Sequence, residues 1–135
     1  MGKSINDIFL EDFQSVVGEM LIRNRSILDV LSKIQVSEGR VNRAVVKSVT
    51  HCGCISIDGK KQAFPKEASI NDLSVLVSTQ VKGELCPDCR QTIEKEIGCA
   101  LFYLAALCNT LDISLYDVIL KEKEALATLG NYSLR

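Results

Sequence analysis

The chain has 135 residues, 47% hydrophobic and 24% charged, and its 16 Lys and Arg nearly balance its 17 Asp and Glu, for a net charge of -1. That length and balance suit one globular domain with a real core and exclude a disordered chain. They also exclude a strong positive field that would hold nucleic acid or an anionic membrane. The local basic pairs Arg23/Arg25 and Lys60/Lys61 are read as solvated surface.

The first residues, MGKSINDIFLEDF, carry acids early and lack a long apolar run, so they do not read as a signal peptide. The longest apolar stretch, Ala100 to Cys108, is too short to span a bilayer. The expectation is a cytoplasmic protein with no membrane partner. In that reducing compartment six cysteines point to metal ligation more than to disulfides.

In chain order, Ile8, Phe9, Phe13, Val16, Val17, Met20 and Leu21 recur at helical spacing and predict an amphipathic first helix. Ser26 and Asp29 have the spacing of a capping box. The second helix after them places Ile27, Val30, Leu31, Ile34, Val41, Val45 and Val49 on one stripe, weakened slightly by Gly39. At His51 the pattern changes. HCGCISIDGKKQAFP alternates at Ile55 and Ile57 and has an Asp58-Gly59 turn, which predicts a short hairpin. A short helix is expected near Asn71 to Val77. Pro87 opens a third long helix to about Thr110, with Ile93, Ile97, Ala100, Leu101, Leu104 and Leu107 buried. Ser114 with Asp117 starts a last helix that ends at Gly130. The expected fold class is therefore all-α: four main helices in a helical core (5–50 and 87–130), with a small zinc-bound hairpin/loop insert (51–89) between helices 2 and 3.

Two cysteine pairs carry the chemistry: Cys52-Gly-Cys54 and Cys86-Pro-Asp-Cys89. Zinc favours four soft ligands in a tetrahedron, and thiolates are its common structural ligands. Gly53 permits the tight backbone that an i, i+2 pair needs. The second pair falls at a predicted helix N-terminus, where the dipole stabilises thiolate charge. The expectation is one structural Zn²⁺ on Cys52, Cys54, Cys86 and Cys89. The alternatives are a redox dithiol at Cys86 and Cys89, an iron–sulfur cluster, or inert thiols. His51 is read as a flanking residue, with replacement of Cys52 as its other option. Four cysteines leave no open coordination position, so such a zinc names no reaction. Cys99 and Cys108, on the third long helix, are read as core packing.

Residues 94–126, EKEIGCALFYLAALCNTLDISLYDVILKEKEAL, resemble the C-terminal half of the MazG-like nucleoside triphosphate pyrophosphohydrolases, and RNRSILDVLSKIQVSEGRVNRAV (23–45) resembles the preceding helix of that family. Together these segments cover 56 of the 135 residues. The resemblance implies an all-α bundle, a homodimer, and a Mg²⁺ site built from an E-E-x-x-E and an E-x-x-D motif. Mg²⁺ takes oxygen ligands and offsets charge developing on the phosphates. Here Glu96 matches the glutamate of the second motif, but Cys99 stands where its aspartate would be. Aligning Gly39 with the family's glycine puts Val36, Ser37 and Arg40 at the three acid positions of the first motif, and Glu38 at a non-ligand one. A Mg²⁺ site is therefore not expected, although Glu38, Glu94 and Glu96 form an alternative acidic set. The functional expectation is a zinc-binding, non-catalytic interaction protein with an unknown protein partner. The alternatives are a pyrophosphohydrolase with altered ligands or a nucleic-acid-binding module. Nucleotide binding without hydrolysis remains open.

Overall fold

The computed structural model describes residues 4–22, 25–67 and 69–129. Four long helices and one short one dominate: α1 (Ile5–Met20), α2 (Ile27–Lys47), α3 (Ile70–Leu76), α4 (Pro87–Thr110) and α5 (Leu115–Leu129). Two three-residue strands, β1 (Ile55–Ile57) and β2 (Val81–Gly83), make a small antiparallel sheet. Among the described residues no single helix is long and apolar enough to cross a membrane.

Local chemistry sets the helix starts. Ser4 and Asp7 form a reciprocal capping box on α1, and Ser69 with Asp72 forms another on α3. Ser26 caps α2 by accepting from the Leu28 amide at 3.3 Å, not through the expected box with Asp29. Ser114 accepts from the Asp117 amide at 3.2 Å at the start of α5. The expected cap at Gly130 lies outside the described residues, as does Arg23.

α2 and α4 form the most extensive helix pair, with α1 against α4 and α5 against α1. The fully enclosed core is small: Val17, Val30, Ala105 and Ala106, flanked by Phe13, Leu21, Ile34, Phe102, Leu107 and Leu115. Here the helical stripes read from sequence need correction. Ile97, Leu101 and Leu104 on α4 are 44%, 49% and 41% exposed, and Leu31 and Val45 on α2 also face outward. Val30 of the expected α2 stripe is enclosed, and it is joined there by Ser37 and, just past the helix end, Ser48. The Ser37 and Ser48 hydroxyls donate to carbonyls one turn back, Lys33 and Val45, so the small polar side chains are satisfied when buried. Small residues at these positions let α2 and α4 approach closely, which hydrophobicity alone does not reveal.

The hairpin about Asp58-Gly59 is also corrected. β1 pairs with β2, with Ile55 opposite Gly83 and Ile57 opposite Val81. The Asp58 amide continues the contact by donating to the Gln80 carbonyl at 2.7 Å. Lys60, Lys61 and Gln62 after the turn offer no apolar alternation for a partner strand, and Val81–Gly83 supplies it. Gln62 exchanges hydrogen bonds with the Ser78 backbone at 2.8 and 3.2 Å and joins the two sides of the connecting segment.

Gln14 connects three elements. Its amide donates to the Asn109 side chain (3.0 Å) and the Ile113 carbonyl (2.7 Å) and accepts from the Leu115 amide (2.8 Å). Asn109 donates back to the Gln14 carbonyl at 2.9 Å. The Leu115 amide is one of the unpaired donors at the start of α5. Gln14→Ala strips its partner and is expected to destabilise the protein by about 1–3 kcal/mol, since unpaired polar groups remain. Urea unfolding with an unchanged m-value would measure it. A midpoint equal to that of the unmodified chain would refute the clasp.

Candidate metal centre

α2 does not end in an ordinary cap. It widens into a π-helical turn, Ser48–Cys52, closed by the Gly53 amide donating to the Ser48 carbonyl at 2.9 Å. Such widened turns recur at functional sites. Gly53 sits in the left-handed region at φ +78°, where a β-carbon is disfavoured, and so reverses the chain between Cys52 and Cys54. Directly beyond, β1 carries the chain to its pairing with β2, which returns it to Cys86.

Cys86 is the N-cap of α4, its Sγ accepting from the Cys89 amide at 3.4 Å, and Pro87 occupies the first helical turn. Each pair thus lies at a helix end, as the spacing implied. The sheet register, absent from that reading, closes the gap between the pairs.

The four sulfurs lie within 4.8 Å of one another. Cys52 Sγ and Cys86 Sγ are 3.8 Å apart, far beyond a disulfide bond, and all six cysteines are free. A tetrahedral site with metal–sulfur bonds of about 2.3 Å has sulfur–sulfur edges of about 3.8 Å. The Cys52–Cys86 edge matches that length, and no other sulfur–sulfur distance in the quartet exceeds 4.8 Å. The quartet is the group of three or more metal-capable side chains brought together among the described residues, and His51 is not part of it.

The electrostatics agree. The Cys89 amide and thiol draw the Cys86 thiol down to about 7. The bond to Cys86, then burial, pushes Cys89 strongly up. Cys54's backbone lowers the Cys52 pKa while the Cys86 thiol raises it, and the net result is upward. One thiolate is favoured, and each further one meets its negative neighbours. A divalent cation removes that conflict and lets all four ionise.

Gly83 fixes the geometry from the side. At φ +85° it occupies the left-handed region, and a β-carbon there would lie 2.6 Å from the Cys54 carbonyl oxygen. Gly83→Ala is therefore expected to force β2 away from β1 and displace Cys54, with backbone strain alone of about 1–3 kcal/mol. A metal titration would show weakened binding, and an unchanged affinity would contradict the coupling.

Of the remaining sequence-predicted residues, Cys99 and Cys108 are half-buried in α4, away from the quartet, and burial pushes the Cys108 thiol up. Glu96 lies across the α2–α4 groove from Arg40, whose guanidinium makes a two-point contact to its carboxylate at 3.0 and 3.3 Å. Glu38 and Glu94 are exposed. Arg40, Arg43, Lys47 and His51 on one wall, and Asp88 and Glu96 on the other, line an open cavity of about 610 Å³ between α2 and α4 that reaches the cysteines. The sequence showed these cations only as scattered charges; their 3-4-4 spacing along one helix face was the available signal.

Fold and site together define a mostly helical protein with a small two-stranded sheet and a four-cysteine cluster suited to a metal ion. No protein-family model matches the chain, and no curated protein or solved structure is significantly similar to it.

Proposed function

We propose that this chain is a zinc-stapled helical interaction protein of the cytoplasm, a divergent member of the MazG-like bundle class without hydrolase activity. In this reading Zn²⁺ sits on Cys52, Cys54, Cys86 and Cys89 and fastens the 51–89 insert to the helical core. All-sulfur coordination and a cytosolic, reducing setting favour zinc over harder ions. The saturated thiolate set leaves no position for substrate, so the metal serves structure.

The observation that carries the non-catalytic part is the Arg40–Glu96 ion pair. Glu96 is the one acid matching the resembled Mg²⁺ motifs, and it is 13% exposed and already neutralised by a guanidinium. A cation held there repels Mg²⁺. The expected result is no Mg²⁺-dependent release of pyrophosphate from any of the common nucleoside triphosphates by purified, zinc-loaded protein. Robust release would overturn this reading and assign a pyrophosphohydrolase with substitute acids.

The homodimer belongs to the same proposal. Ile97, Leu101, Leu104 and Leu111 of the α4 segment, with half-buried Cys108, recur at alternating spacings of four and three and stay largely exposed. That is the spacing of a helix–helix seam. A second copy presenting the same stripe is the occupant it fits.

A further inference from the structure

We infer that the cavity between α2 and α4 binds a phosphate monoester of a small, hydroxyl-bearing molecule, with the phosphate against α2 and the hydroxyls against α4. This goes beyond the scaffold reading and does not depend on which metal the cysteines hold.

Arg40, Arg43 and Lys47 occupy one stripe of α2, and seven residues of helix place the first and last about 10 Å apart along the axis. Ala44 and Ser48 lie on the same lining, so the floor beside the cations is small side chains and leaves the groove open. Arg40 is committed to Glu96. Arg43 and Lys47 have no ion-pair partner among the described residues and line the open cavity of about 610 Å³, within the usual range for small-molecule sites. An arginine fork and a lysine on neighbouring turns match the several oxygens of one phosphate.

The opposite wall is different. Asp88 and Thr92 of α4 line it, and the Thr92 hydroxyl donates to the Asp88 carbonyl at 3.0 Å, leaving the Asp88 carboxylate as an acceptor for hydroxyl groups. One wall thus attracts an anion and the other attracts donors. The phosphate is therefore held by Arg43 and Lys47 on the α2 wall, with the hydroxyl-bearing part against Asp88 on the α4 wall.

The test is a titration of the metal-loaded, full-length protein with ribose 5-phosphate, inorganic phosphate and ribose, without Mg²⁺, followed by amide and arginine side-chain shifts. Ribose 5-phosphate is expected to move the Arg43 and Lys47 signals and to bind more tightly than phosphate, with ribose silent. The double variant Arg43→Gln/Lys47→Gln should lose about tenfold or more in affinity, as fits removal of charge-assisted bonds. Both changed residues are exposed, so unchanged helicity and metal content would show that the fold is kept. No shifts up to about 10 mM ribose 5-phosphate, weaker than any useful affinity, would overturn the site, as would equal binding by the double variant. Equal affinities for phosphate and ribose 5-phosphate would overturn the two-walled ligand. None of these outcomes touches the metal or pyrophosphate-release results, so failure here is distinguishable from failure of the scaffold reading.

Discussion

Cys86→Ser is expected to abolish stable metal binding and to unfasten residues 51–89 while leaving the long helices paired. Cys86 takes part in more of the site than any other ligand: its sulfur is 3.8 Å from Cys52 Sγ, accepts the Cys89 amide, and caps α4. Structural zinc contributes on the order of 10 kcal/mol of apparent binding free energy in small domains that fold only with metal. Here α1, α2 and α4 pack through Val17, Val30, Ala105 and Ala106, with Leu115 of α5 against them, and no cysteine belongs to this cluster. The loss should therefore fall on the insert, where the two strands contribute only three residues each. Elemental analysis should give one zinc per unmodified chain and none in the variant. Hydrogen exchange should accelerate in 51–89 far more than in α2 and α4, and uniform acceleration would refute the staple.

The pH dependence has a definite sign. In the metal-free chain the lowered Cys86 pKa contributes stability above the ordinary thiol value, and that stability is lost as pH falls through about 7. The raised Cys52 and Cys89 values act oppositely: their contribution is present below the ordinary value and lost as pH rises through the folded one. Metal binding holds all four as thiolates, so the loaded protein has one trend. Affinity falls as protons compete, and metal should leave on acidification toward about pH 5. A chelator-release assay across pH would read this directly.

Leu101→Glu is the second large effect. At 49% exposure Leu101 is near the middle of the uncovered α4 stripe, between Ile97 and Leu104. A carboxylate facing its copy across a symmetric seam would be desolvated without a partner, costing several kcal/mol and shifting a micromolar dimer to monomer. Sedimentation equilibrium should give twice the chain mass for the unmodified protein and the chain mass for the variant, with helicity retained because the site is not in the monomer core. A monomeric unmodified protein at micromolar concentration would sink the dimer.

The sequence by itself determined the helices and the four cysteines that the fold brings together. Periodicity, Pro87 and serine caps are local signals, and they placed α4 at Pro87–Thr110 as expected. The two cysteine pairs were legible because a metal ion needs few residue types at short spacing. Only the tertiary structure decided which faces are buried, since a helical stripe of Ile97, Leu101 and Leu104 reads alike whether a core or a second chain covers it. It also decided that Ser37 and Ser48 lie inside, because a hydroxyl that satisfies itself on its own helix costs little to enclose. The β1–β2 pairing, the Gln14 clasp and the Arg40–Glu96 contact join residues far apart in the chain. Such pairings leave no local pattern, because their energy depends on distance in space and not on neighbours in sequence.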